Sequence, residues 1–245
     1  AGTLDCAVNN TPIMSGYDAG LSVLDLPYLF ENYDDIYTFL DSDVCQEMLD
    51  DFSSTGAKIL NLQCVGFRNL ESSKGFVEKP SDLKGLKVRV TGSEVYINTW
   101  NAWGASAQTM PGNEVLTALQ QGTIDAQENP YEVIVSNKLY EQQDYVVETN
   151  HLPHLISLIV SDEFFQDLPE DKQAILVEAA EIAKEEARQA SDDRIADKIK
   201  VIEDSGTQIV TLSDELRAEI REAVQPVYDE IEKNVDKKLY NAYMK

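Results

Sequence analysis

The chain has 245 residues, 43% of them hydrophobic and 26% charged, enough apolar material for one large domain or two small ones, which excludes a disordered segment or a bare linker. Its 44 acidic residues stand against 20 basic ones, a formal charge of −24, so a partner with a phosphate backbone is repelled and nucleic acid is excluded. No apolar run approaches the roughly 20 residues of a membrane helix, and the chain is expected not to insert into a bilayer itself.

The chain opens at Ala1 with neither an initiator Met nor a basic and apolar leader, which reads as an upstream segment having been removed. From Gly2 to Leu26 the pattern is an apolar run, a turn around Ser15 to Gly20, and Leu21 to Leu26 before Pro27, giving strand, loop, then strand or short helix. Asp34 to Phe52 spaces Ile36, Phe39, Leu40, Val44, Met48 and Leu49 as one helical face, capped by Asp34 or Asp35 and ended by Gly56. Ala57 to Val65 follows as a buried strand. Lys79 to Gly85 reads as one helical turn before a strand at Leu86 to Val90, with Arg89 near its end. Helices at Val95–Trp103 and Asn113–Gln121 close at Gly104 and Gly122, and a strand from Ile124 leads into Gln127, Glu128 and Asn129. Strands and helices alternate, so the class is α/β.

The last third is helical. Pro169 opens a stretch without Gly or Pro that stops at Gly206, a helix of roughly 50 Å at about 1.5 Å per residue. Its apolar stripe runs through Ile175, Leu176, Ala179, Ile182, Ala183 and Ala187, breaks at Gln189 to Arg194, and resumes at Ile195, Ile199 and Ile202, as for a helix crossing between two domains. Asp214–Glu222 and Val227–Tyr243 are further amphipathic helices.

Cys6, Cys45 and Cys64 fit neither a zinc knuckle nor a CxxC pair and read as small buried residues, one disulfide between two of them remaining open. With His151 and His154 the only histidines and no cluster at ligand spacing, neither a metal site nor a cofactor is implied.

Several stretches in a common order resemble the solute-binding proteins of tripartite ATP-independent periplasmic (TRAP) transporters, the DctP-like family. They are GTLD at Gly2–Asp5, LDLPYLF at Leu24–Phe30, GFRNL at Gly66–Leu70 and DLKGLKVRV at Asp82–Val90, then WGASAQTMP at Trp103–Pro111, ALQQGTIDAQENP at Ala118–Pro130 and SDEFFQDLPEDKQ at Ser161–Gln173. The resemblance implies a two-lobed periplasmic solute-binding fold with crossing strands and a long helix spanning both lobes. Lobe I would take 1–65 plus 154–193, and lobe II 66–153 plus 194–245 with the C-terminal helices. It also implies a strand and helix before GTLD, so the first lobe reads as N-terminally truncated.

By this resemblance Arg89 matches the arginine that pairs with the ligand's carboxylate, a task suited to a planar guanidinium that offers two parallel donors. Read without the resemblance, Arg89 is an exposed residue in a surface ion pair. Arg68 and Asn129 match two further ligand-facing positions, and Glu128 and His151 match a buried polar group formed with Arg68 beside the ligand. His154 reads as an ordinary core or surface histidine. Gly112 stands where many members carry an aromatic wall, and Tyr131 where an aliphatic residue is usual. With Trp103 nearby this suggests a pocket enlarged for a bigger or aromatic acid, while Trp100 reads as core. Asn9, Asn10 and Thr11 are the candidates for the first lobe's contribution.

The implied function is capture of an organic acid outside the cytoplasm and its delivery to the TRAP membrane subunits, without enzymatic chemistry. The alternative is an enzyme using Glu128 and His151 as an acid and base pair on a carboxylate held by Arg89. A helical interaction protein built on the C-terminal third leaves the α/β portion unexplained.

Overall fold

A computed structural model describes residues 4–189 and 191–235, together with 237, 240, 241 and 244. Gly2 and Thr3 of the GTLD stretch, residue 190 of the expected long helix, and residues 236, 238, 239, 242 and 243 of the last expected helix lie outside the described residues.

In chain order, strand β1 (Cys6–Asn10) enters helix α1 (Thr11–Met14), and a 3-10 turn (Ala19–Asp25) follows. The amphipathic stretch expected as one helix is two, α2 (Tyr33–Leu40) and α3 (Asp43–Asp51). Side-chain capping breaks it: Asn32 accepts from the Asp35 N–H at 2.9 Å and Ser42 accepts from the Cys45 N–H at 3.2 Å. Neither Asp34 nor Asp35 is the cap: both lie in the first turn of α2, which Asn32 caps, and Ser42 caps α3. A 3-10 turn (Phe52–Thr55) follows α3, and Gly56, left-handed at φ 89°, ends it, as its lack of Cβ permits.

Strand β2 (Ala57–Ser72) runs seven residues beyond the expected strand. The periodicity reading stopped at Val65 because the continuation carries Arg68, Asn69 and Glu71, which are buried here but look like loop residues. β3 (Lys87–Val90), α4 (Glu94–Ala102), β4 (Ser106–Thr109), α5 (Val115–Gln120), β5 (Ala126–Asn129) and α6 (Tyr131–Ser136) follow as alternating units. Strand β6 (Tyr145–Ser161) then runs back along β2, paired antiparallel from Ala57↔Ser161 to Ser72↔Tyr145.

One mixed sheet is ordered β1-β6-β2-β5-β3-β4, and β7 (Gln208–Thr211) pairs with β6. β3 lies parallel to both β4 and β5, whereas β2 and β6 are the long antiparallel strands that cross from one core to the other. The first core gathers Met14, Leu24, Ile36, Met48, Leu62 and Leu155. The second gathers Val88, Trp100, Leu152, Leu216 and Val227. The two lobes therefore share two strands, whose pairing shifts register between Cys64 and Phe67 and again between Arg68 and Leu70. Such irregularities bend a strand locally.

After α7 (Asp162–Asp167), the expected long helix is described as α8 (Glu170–Gln189) and α9 (Ser191–Asp204). The stripe differs from expectation in its first half. Ile175 and Ile182 are 54% and 56% exposed, and the covered residue is Ala180. A methyl side chain there lets the backbone approach β2 closely enough for Asn61 Nδ2 to donate to the Ala180 carbonyl at 2.7 Å. The second half packs as expected, with Ile195, Ile199 and Ile202 against Tyr131, Ile134 and Val146. Helices α10 (Asp214–Ala223) and α11 (Gln225–Asn234) close the second core. Cys6 is exposed, on a strand covered along only one edge, while Cys45 and Cys64 are buried; all three are free thiols. Among the described residues no helix is long and apolar enough to cross a membrane.

Candidate functional site

The strands β5, β3 and β4 run parallel, so their carboxyl ends open on one side, where ligands of α/β sheets are held. Arg89 stands near the end of β3, Thr109 to Gly112 follow β4, and Asn129 ends β5. All of these line a cavity of about 980 Å³, whose opposite wall is Asn10, Ile13 and Tyr17. The floor is made where the lobes share strands, by Arg68 of β2 and His154 of β6. Although the chain carries 44 acidic residues, the cavity lining holds two arginines and no Asp or Glu.

Arg89 is 7% exposed and has no acidic partner within ion-pair reach among the described residues. Its Nε and Nη2 donate to the Met110 carbonyl at 3.0 and 2.6 Å, which fixes the plane of the guanidinium. Both Nη1 protons and the second Nη2 proton stay unused, and these form the parallel pair of donors that matches a carboxylate. Burial pulls its pKa down and Glu128 pushes it up, the net being a lowering; a guanidinium remains cationic throughout. The surface ion-pair reading of Arg89 does not fit this geometry.

Arg68 is 2% exposed and its donors are largely committed. Nε reaches Glu128 Oε2 at 2.5 Å, Nη2 reaches Glu128 Oε1 and Asn129 Oδ1 at 2.9 Å each, and Nη1 lies 2.5 Å from His154 Nδ1. Burial works against ionising Glu128, but Arg68 wins and holds the carboxyl at about 2. Burial likewise opposes the charge on Arg68, and Glu128 raises its pKa above the ordinary value. The pair is therefore internally neutral, and Arg89 supplies the uncompensated positive charge of the cleft.

Glu128 and His151 are both fully buried and neither lines the cavity. His151 Nε2 sits 3.4 Å from Glu128 Oε2 without hydrogen-bond alignment, while Nδ1 meets the Thr149 hydroxyl at 2.8 Å. Burial lowers the pKa of His151. An acid and base pair so placed has no access to a substrate, which removes the geometric basis of the enzymatic alternative.

Asn129 lines the cavity, with Oδ1 taken by Arg68 and Nδ2 donating to Gln127 Oε1 at 2.5 Å, so one amide proton remains for a ligand. Asn10 lines the cavity but Asn9 does not. Thr11 is buried and donates to Asp25 Oδ1 at 2.6 Å. Gly112 lines the cavity, and a Cβ there would stand 3.9 Å from Arg89 Nη2.

Trp103 and Tyr131 are not in this cavity. Trp103 lies in the second core at 5% exposure, and its Nε1 donates to the Ile220 carbonyl at 2.7 Å. The indole faces inward, where the Ile220 carbonyl of α10 satisfies its N–H. Tyr131 turns to the opposite face of the sheet, its hydroxyl donating to Glu148 at 2.8 Å. A cavity-lining residue that the motifs did not indicate is His154, which burial holds neutral at about 3. His154 lies on β6, a strand absent from the sequence-based expectation, and no other residue of β6 lines the cleft to point to it.

The sequence matches the family described as bacterial extracellular solute-binding protein, family 7 (DctP) over residues 1–234. The chain belongs to this family. DctP-family proteins bind solutes for transport and are not enzymes. The chain is 30% identical over 213 residues to the 2,3-diketo-L-gulonate-binding periplasmic protein YiaO of Escherichia coli, covering 86% of this chain and 64% of that protein. It superposes with TM-score 0.94 and 27% identity on a TRAP periplasmic solute-binding protein from Desulfovibrio salexigens solved with orotic acid, over 99% of this chain and 79% of that one. It also superposes with TM-score 0.94 and 30% identity on the sugar acid binding protein DctPAm from Advenella mimigardefordensis in complex with galactonate, over 99% and 78%. The chain thus spans 64% of the length of YiaO and of a Haemophilus influenzae relative 33% identical to it.

Proposed function

We propose that the chain captures an organic acid outside the cytoplasm and presents it to the membrane subunits of a TRAP transporter. The observation that carries this reading is a cavity free of acidic residues in a strongly acidic protein, with an oriented guanidinium of Arg89 at its wall. The ligand's carboxylate takes the open Nη1/Nη2 edge of Arg89, and Asn129 and Asn10 supply amide contacts from the two sides. Arg68 acts through its neutral pair with Glu128, holding Asn129 in place rather than adding charge. We take the lobes to divide near residues 65 and 153 and again near 193, where β2, β6 and the α8 to α9 passage cross between the two cores. The proteins named above bind orotate and galactonate in their structures, and the absence of an aromatic wall at Gly112 favours acids of that size over the smallest ones.

Calorimetric titration of succinate, galactonate and orotate into the wild type, Arg89→Lys and Arg89→Ala tests this. A ligand held at about a hundred times its Kd stabilises by roughly 2.7 kcal/mol, and Arg89→Ala should lose that stabilisation. Arg89→Lys should keep only a fraction, since an ammonium lacks the fork. Equal affinity in wild type and Arg89→Ala for every acid that binds would overturn the assignment.

A further inference from the structure

A second cavity, of about 320 Å³, lies behind the crossing strands under α9. On β2, Phe67 and Asn69 face it while Arg68 between them faces the acid cleft, as strand alternation requires. Three aromatic rings, from Tyr33, Phe67 and Tyr131, share its walls with the Glu148 carboxylate and the amides of Asn69 and Asn150.

Two groups there are chemically incomplete. Glu148 accepts from the Tyr131 hydroxyl at 2.8 Å and the Thr211 hydroxyl at 2.6 Å, but no cationic side chain pairs with its carboxylate among the described residues. Asn69 is fully buried; its Oδ1 accepts the Asn150 N–H at 3.0 Å, and its Nδ2 has no partner. A buried donor left unpaired is destabilising, so the site favours a ligand bearing an acceptor. Aromatic faces beside an unpaired carboxylate favour a cation. The volume sits at the low end of small-molecule sites, which run from roughly 300 to 1,000 Å³.

We propose that this cavity is a second binding site, separate from the acid cleft, for a compact organic cation that carries an oxygen acceptor. The cationic end lies against Tyr33, Phe67, Tyr131 and Glu148, and the oxygen accepts from Asn69 Nδ2. The site touches the strands at their irregular point, where the β2 register shifts and Asn150 is left-handed at φ 44°. Its occupant therefore packs against strand residues next to those that line the acid cleft.

The test is calorimetric titration of choline chloride into the full chain, with sodium chloride and the neutral isostere 3,3-dimethyl-1-butanol as controls. Saturable binding of choline and not of the alcohol is expected, weakened at least about tenfold in Glu148→Gln and unchanged in Arg89→Ala. Melting curves establish that Glu148→Gln folds, and if it does not, Ile199→Trp, which fills the cavity from α9, should abolish choline binding instead. No saturable heat with choline, equal affinity for the alcohol, or loss in Arg89→Ala with retention in the cavity variants would each overturn the proposal. Loss of acid binding alone would bear on the proposed function and leave this site standing.

Discussion

Replacing Glu128 by Gln removes one charge from a fully enclosed ion pair and leaves the shape unchanged. The carboxylate accepts from Arg68 Nε at 2.5 Å and Nη2 at 2.9 Å, and both partners are at most 2% exposed. A carboxyl held at about 2 where 4.5 is ordinary carries roughly 3 kcal/mol of native-state stabilisation at neutral pH. The amide returns one acceptor but turns an N–H₂ toward the guanidinium, leaving Arg68 buried and unbalanced, a loss of about 3–5 kcal/mol when such pairs are broken. Glu128→Gln should therefore melt roughly 6–20 °C below wild type at pH 7. The folded pKa is depressed, so this stabilisation is complete above pH 4.5 and is lost as pH falls toward 2. The gap between the two proteins must close in that acidic window. Thermal and urea unfolding at pH 7 and pH 3.5 measure it. A variant as stable as wild type at pH 7, or a gap that widens on acidification, would refute the account of Arg68 as a neutralised residue.

Asp25 predicts the opposite pH trend: burial pushes its carboxyl up to about 7 from 3.8, against smaller lowering by Thr11 and Arg68. The folded protein holds this proton to higher pH than the unfolded chain, so stability falls between those values; Asp25→Asn should equal wild type near pH 4 and exceed it by roughly 2–4 kcal/mol at pH 8, read from unfolding curves at the two pH values. Trp103→Phe removes the bond to the Ile220 carbonyl and should cost about 1–3 kcal/mol of stability with acid affinity unchanged; altered acid affinity at unchanged stability would return Trp103 to the pocket. Gly112→Phe places a ring beside the Arg89 guanidinium and should weaken orotate at least about tenfold relative to succinate, a ratio that calorimetry reads directly.

Local signals were legible wherever one residue's own backbone preference decides the outcome. Gly56, Gly104, Gly122 and Gly206 all take positive φ at the element ends where they were expected. The motifs around Arg68, Arg89 and Asn129 were legible as a family resemblance, and all three residues do line one cavity. The α8 stripe was misread because periodicity weighs an isoleucine above an alanine, whereas close approach to β2 selected Ala180. Trp103 and Tyr131 were misplaced for a related reason: each polar tip goes to its nearest acceptor, the Ile220 carbonyl or Glu148, and neither acceptor is close in sequence.

Composition and turn chemistry by themselves determined an α/β chain and several of its helix ends, and the ordered motifs, through the resemblance they carry, pointed to Arg89 as an arginine suited to a carboxylate. The resemblance points to Arg89 and sets Glu128 beside Arg68; the tertiary structure supplies the contacts behind that division. Glu128 is 60 residues from Arg68 in the chain, and β2 pairing with β5 brings the two together; that pairing cancels one cation and leaves Arg89 held by a carbonyl, its charge unmatched and facing the cleft. Charge compensation is a property of distance in space, which a linear pattern does not contain.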